Sequence, residues 1–148
     1  ITTLASFAVV GLVRDSSGEA THLAQWAGLG RRSPVVGGAF ALLLFALAGI
    51  PLTSGFMAKF AVFKAAIEGG ATGLVVVGVL ASAITAFFYA RVVVLMFFQE
   101  PAEDGPTVSV PSAGTAITIS VCLAATVLLG VLPQPLLDLA DKAALFVR

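Results

Sequence analysis

Apolar positions in this chain come in long unbroken runs rather than in alternation or as a single helical stripe. No Asp, Glu, Lys or Arg occurs in residues 33–58, 69–90 or 105–137. A charge-free apolar run of about 18 or more residues can cross a bilayer as a helix. Short alternating strands, which would signal a membrane barrel, are not visible in the sequence. The pattern therefore predicts an all-α, polytopic transmembrane helix bundle forming one unit over residues 1–148. Helices are expected at about 1–13, 34–50, 55–68, 73–98 and 111–132. Run 1–13 would measure only about 20 Å, too short to span, so it is expected to be the end of a helix that begins upstream. Residues 136–147 carry Leu136, Leu137, Ala140, Ala144 and Leu145 at helical spacing, with Asp138, Asp141 and Lys142 on the other side. That is the pattern of an amphipathic helix lying on a surface.

Punctuation between the runs is specific. Pro34 opens a helix where proline is tolerated, with Ser33 as its natural cap. Gly49, Pro51 and Gly55 then interrupt the apolar run, and Thr53 and Ser54 are placed to cap a new start. An unbroken helix over 34–68 would be about 52 Å long, against a hydrocarbon core of about 30 Å. One discontinuous, bent span is the economical solution. Residues 69–73 read as a tight turn, and residues 99–106 as an exposed acidic loop. In loop 14–33, Trp26 between Leu23 and Leu29 is expected at the membrane interface, as are Tyr89, Phe97 and Phe98. His22 reads as a loop or capping histidine. Loops 14–33 and 99–110 fall on one side, and Arg14, Arg31 and Arg32 mark that side as cytoplasmic.

Composition narrows the function. The chain is 59% hydrophobic and 11% charged, whereas soluble domains carry roughly 25% charged residues. With net charge zero and no basic run, nucleic acid is excluded as a natural partner, and the lipid bilayer is the expected surroundings. Cys122 is the single cysteine, so no internal disulfide can form. There is no zinc-type spacing, phosphate loop, nucleophile elbow, haem motif or iron–sulfur cysteine set. No cofactor or metal site is expected.

Charged residues near the spans are the remaining candidates. Lys64 and Glu68 are four apart, the spacing of an ion pair on one helix face. Arg91 lies about two turns before the end of its helix, where it can snorkel or meet an internal acid. Lys59 sits about one turn past the break, roughly 180° around the helix from Glu68, and has no visible partner. Intramembrane lysines usually face a bundle interior or wet cavity and mark ion paths. The interruption leaves free carbonyls around 47–50 and free N–H groups around 55–57, and discontinuous helices of this kind form ion sites in transporters. The positive end of the second half-helix and removal from water both oppose an ammonium there, which suits a group that exchanges a proton. The plainer alternative is a lysine bonded to the free carbonyls of the break. Ser82, Thr85 and Tyr89 on the next helix either line a hydrated route or pack helices together.

Residues 48–56, Ala-Gly-Ile-Pro-Leu-Thr-Ser-Gly-Phe, followed by Lys59-Phe60-Ala61-Val62-Phe63, resemble the broken helix of the antiporter-like subunits of proton-pumping NADH:quinone oxidoreductase, respiratory complex I. The bacterial subunit N branch is the best match. Gln25-Trp26-Ala27-Gly28-Leu29, Tyr89-Ala90-Arg91-Val92 and Gly130-Val131-Leu132-Pro133-Gln134-Pro135 extend the likeness over most of the chain, in the order expected of that subunit's C-terminal part. The resemblance implies an inverted-repeat fold in a bacterial inner membrane, with Lys59 as the broken-helix lysine of the second repeat. It implies proton movement coupled to quinone reduction in other subunits, which handle NADH, FMN, iron–sulfur clusters and quinone. Its implied partners are a neighbouring antiporter-like subunit and small membrane subunits. Phe60 departs from the subunit L pattern, which has an acid after the lysine, and a glutamate at position 59 would have pointed to subunit M. A multi-subunit sodium/proton antiporter shares this fold, and a membrane scaffold is the reading from another class.

Overall fold

A computed structural model describes residues 1–15, 18–20, 22–100 and 107–144. Seven helices order the described residues: α1 (Thr2–Val10), α2 (Leu29–Arg32), α3 (Pro34–Ala48), α4 (Ser54–Glu68), α5 (Thr72–Phe98), α6 (Ala113–Val131) and α7 (Gln134–Ala144). Three short strands, β1 (Val13–Asp15), β2 (Gly18–Glu19) and β3 (Thr107–Val108), pair antiparallel in the order β2-β1-β3. Their sequence shows no alternation; β1 pairs with β2 within one loop, and β3 joins because a second loop meets β1. The first helix therefore ends at Val10 instead of continuing to 13. The sheet also places Val13–Asp15, Gly18–Glu19 and Thr107–Val108 together on one side of the bundle.

α3 is the central element. It packs against α1, α2, α5 and α6 and buries Gly37, Phe40, Ala41, Leu43, Leu44, Ala46 and Ala48. α4 buries none of its residues, and α5 buries only Val75 and Met96. Those apolar outer faces suit hydrocarbon, which solvates them as well as protein does. α5 and α6 are long and apolar enough to cross a membrane, while α3 is apolar but shorter. α5 has 27 residues, about 40 Å, and runs beside both α3 and α4. Its inward stripe places Gly78 against the Phe63 ring of α4.

Trp26 corrects the interface expectation. It lies in a 3-10 turn (Leu23–Trp26) and is buried. Its Nε1–H donates to the Ala20 carbonyl at 3.3 Å, and its ring lies 5.1 Å from that of Phe40. Loop and helix together enclose the indole, so it packs as a core residue. His22 caps this turn, and its backbone N–H donates to Gln25 Oε1 at 2.8 Å. Ser33 precedes α3, but its side chain makes no capping bond. Phe97 is likewise packed inward, against Gly30 of α2, while Phe98 is exposed. Arg31 Nε–H donates to the Phe97 carbonyl at 3.1 Å, satisfying the C-terminal end of α5. The acidic positions Glu103 and Asp104, and Leu145 of the tail, lie outside the described residues.

Gly30 is fixed by this packing. A Cβ there would stand 2.6 Å from Phe97 Cδ1 and Cε1. Gly30→Ala is expected to destabilise the full-length protein by about 1–3 kcal/mol, read as thermal unfolding in detergent. Adding Phe97→Leu should recover much of the loss, because contacting sites are non-additive. Equal unfolding of wild type and Gly30→Ala would contradict the packing.

Candidate functional site

The site forms where α3 stops. Gly49 is left-handed (φ +84°), a conformation that costs other residues about 1–2 kcal/mol. Its N–H contacts the Phe45 and Ala46 carbonyls at 3.0 and 3.1 Å, and the Ile50 N–H reaches the Phe45 carbonyl at 3.1 Å. This is a Schellman ending, which satisfies the carbonyls three and two residues inside the cap. Leu47 and Ala48, the next two carbonyls, are left without main-chain partners.

Lys59 takes both. Its Nζ–H groups donate to the Ala48 carbonyl at 2.9 Å and to the Leu47 carbonyl at 3.4 Å. Helical side chains point towards their own N-terminus, so a lysine on the second turn of α4 reaches back across the linker. This is the plainer alternative, a lysine on the free carbonyls of the break, and it corrects the expectation of an unpartnered charge. That expectation weighed only the positive end of α4, whereas the ammonium lies against the negative end of α3, which attracts it. Hydrogen bonds to a charged group contribute about 1.5–3 kcal/mol each. Lys59 is half-buried, and no carboxylate among the described residues lies within ion-pair distance of it.

Linker residues 49–53 hold this arrangement. Thr53 occupies the N-cap position of α4, but its hydroxyl turns back and donates to the Ile50 carbonyl at 2.7 Å. It closes the linker instead of capping the helix. Ser54 is the first residue of α4, and Pro51 is exposed in the linker. Leu52 has φ +72°, a strained backbone for a residue with a side chain. Gly55 lies so near α3 that a Cβ would overlap the Ala46 carbonyl oxygen. A Cβ on Gly49 would stand 2.9 Å from Lys59 Cδ and 3.2 Å from its Nζ. Gly49 therefore supplies both the turn and the room for the lysine stem.

The remaining candidates are not gathered here. Lys64 and Glu68 lie further along α4, exposed, with Nζ 3.9 Å from Oε1. Tyr89 lines a cleft with Trp26 and Phe40, and Phe40 lies eight residues before Ala48, about 12 Å along α3. Arg91 is exposed, with no acidic partner among the described residues. Thr85 donates to its own Ala81 carbonyl at 2.8 Å, and Ser82 lies half-buried on the inward face of α5. Cys122 is buried and unpaired. Sequence reasoning missed Leu52, which carries no sequence signal, and Gly130 of α6, whose Cα abuts the linker.

Residues 1–85 match the family described as NADH:quinone oxidoreductase/Mrp antiporter, TM. The chain is 68% identical to NADH-quinone oxidoreductase subunit N of Rhodococcus opacus (strain B4), over 99% of this chain and 27% of the relative. It is 67% identical to NADH-quinone oxidoreductase subunit N 3 of Streptomyces griseus, over 99% of this chain and 26% of the relative. It therefore spans about a quarter of the length of these relatives. Among solved structures, respiratory complex I from Thermus thermophilus with bound aureothin matches with a TM-score of 0.77 and 26% identity. That match covers 90% of this chain and 30% of the matched one. The Mrp complex from Dietzia sp. matches with a TM-score of 0.78 at 22% identity, over 97% of this chain and 34% of the other, a likeness of fold alone. Helices, spans and comparisons agree on an antiporter-like membrane fold, and the chain belongs to the NADH:quinone oxidoreductase/Mrp antiporter transmembrane family.

Proposed function

We propose that the chain is part of a membrane-arm subunit of a proton-pumping NADH:quinone oxidoreductase, and that Lys59 is one station of its proton path. α3, the linker and α4 are read as one discontinuous span of an inverted-repeat fold in the bacterial inner membrane. Other membrane subunits are its neighbours. NADH, FMN, iron–sulfur clusters and quinone are handled elsewhere in the complex. The observation that carries the reading is the lysine on the two carbonyls that the Schellman turn leaves open. As an ammonium, Lys59 donates charge-assisted bonds to Leu47 and Ala48. On passing its proton to water or to an acceptor from another part of the protein, it becomes an amine and its hold on both carbonyls weakens. Proton transfer and side-chain release are then one event, which allows the group to accept from one side and deliver to the other.

Likeness to the Mrp complex supports a sodium/proton antiporter as the second reading, at the level of fold. Subunit N relatives at 68% and 67% identity favour the first. Purification of the full-length subunit separates the two: flavin- and iron–sulfur-containing partners support the oxidoreductase, and sodium-driven proton flux without them supports the antiporter. The two hydrogen bonds would also serve a scaffold, in which Lys59 only ties the break together.

Lys59→Met in the full-length subunit is expected to leave assembly in place and to lower proton translocation in membrane vesicles about tenfold or more. Unchanged pumping at normal assembly would support the scaffold and end the relay reading. Gly49→Ala adds a collision with the lysine stem to the cost of a left-handed alanine. Gly70→Ala carries the second cost alone, since Gly70 has φ +79° and open space around its Cα. Proton translocation per assembled complex should fall about tenfold for Gly49→Ala and stay near wild type for Gly70→Ala. Equal behaviour of the two would show that Gly49 serves the turn and not the lysine.

A further inference from the structure

The sequence Gly130-Val131-Leu132-Pro133 has no part in the function above, yet the structure sets it against the break. A Cβ on Gly130 would overlap the Leu52 carbonyl oxygen and the Thr53 Cα. Both are backbone atoms that no rotamer change can move aside. Gly130 lies in the last turn of α6, which stops at Val131 before Pro133. It shares its buried face with Cys122 and Thr126, at steps of four residues.

That face is anchored one turn earlier. The Thr126 and Thr2 hydroxyls lie 3.1 Å apart, joining α6 to α1. Ser6 Oγ–H donates to the Thr2 carbonyl at 2.9 Å. Ser6, Thr53 and Thr126 are the buried polar side chains among the described residues. One belongs to the linker, and the other two belong to the α1–α6 seam that backs it. In an apolar bundle, small and hydroxyl residues allow close backbone approach and fix helix rotation. Leu52, the residue that Gly130 touches, is the described non-glycine residue with a positive φ. Strain of this kind persists where the surroundings hold it.

We infer that α6 is the backstop of the break and that Gly130 is a positioning residue for Lys59. By seating Leu52 and Thr53 it fixes the linker, and the linker fixes the Leu47 and Ala48 carbonyls against the ammonium. α1, through Thr2 and Thr126, sets the depth and rotation of α6. The functional importance of this placement rests on the relay reading of Lys59, but the placement does not. It is tested by a separate readout.

The experiment uses the full-length subunit in its assembled complex. Gly130→Ala is compared with Gly114→Ala, a same-helix control whose Cβ would make only an ordinary contact with Ser112 Oγ at 4.0 Å. Labelling of Lys59 by a membrane-permeant amine reagent is followed by mass spectrometry, with exposed Lys64 as internal reference, alongside proton translocation per assembled complex. Gly130→Ala is expected to raise Lys59 labelling relative to Lys64 about tenfold, as bonds to the carbonyls are lost, and to lower proton translocation. Gly114→Ala should change neither. Assembled Gly130→Ala with wild-type Lys59 labelling overturns the inference, whatever its turnover. Raised labelling with undiminished proton translocation supports the placement and sinks the relay reading instead. If Gly130→Ala does not assemble, Thr126→Val decides, because it keeps side-chain shape while removing the hydroxyl pair. Labelling of Lys59 raised about two- to threefold supports the inference, and unchanged labelling overturns it.

Discussion

Two backbone carbonyls without main-chain partners organise this protein. A Schellman turn at Gly49 ends α3, satisfies Phe45 and Ala46, and leaves Leu47 and Ala48 open. In water such groups would be solvated. In a hydrocarbon setting each would carry a desolvation cost of several kcal/mol. Lys59 Nζ meets both needs at once, since a half-buried ammonium needs acceptors as much as the carbonyls need donors. Neither a continuous helix nor an apolar residue at position 59 would give this arrangement.

Much of the surrounding structure keeps that contact in place. Gly49 leaves room for the lysine stem, Gly55 lets α4 start against the Ala46 carbonyl, and Gly130 lets α6 touch the linker from another side. At Gly55 and Gly130 the missing Cβ permits a close backbone approach, a common way to hold helices together without a hydrophobic driving force. Thr53 closes the linker on Ile50, and Leu52 accepts a strained backbone. Such clamped, polar backbone is unusual in an apolar protein.

The α3–α4 interruption was legible in the sequence because Gly and Pro act locally. Gly49 and Pro51 punctuate an apolar run whatever lies around them. Apolar runs long enough to cross a bilayer were legible for the same reason, and so were the four-residue spacing of Lys64 and Glu68 and the ending of α6 before Pro133. Whatever depends on distant packing was not. Trp26 looked like an interface residue until Ala20 and Phe40 closed over it. Strand β3 exists only because Val13 and Arg14 meet Val108 and Thr107. Gly130 was visible as part of a familiar run, but its contact with the linker is nearly eighty residues away in sequence. The Lys59 partners were legible only as the plainer alternative, a lysine on the free carbonyls of the break. Reasoning from the near dipole of α4 ignored the direction in which a helical side chain points.

Direct observation of the break in the full-length subunit, by cryo-electron microscopy of its intact membrane assembly, tests the central claim. Side-chain density should show Lys59 Nζ within about 3.5 Å of the Leu47 and Ala48 oxygens, with Gly49 left-handed and α6 resting on residues 52–53. An unbroken helix through 49–53 would contradict the account, as would a Lys59 side chain directed away from both carbonyls.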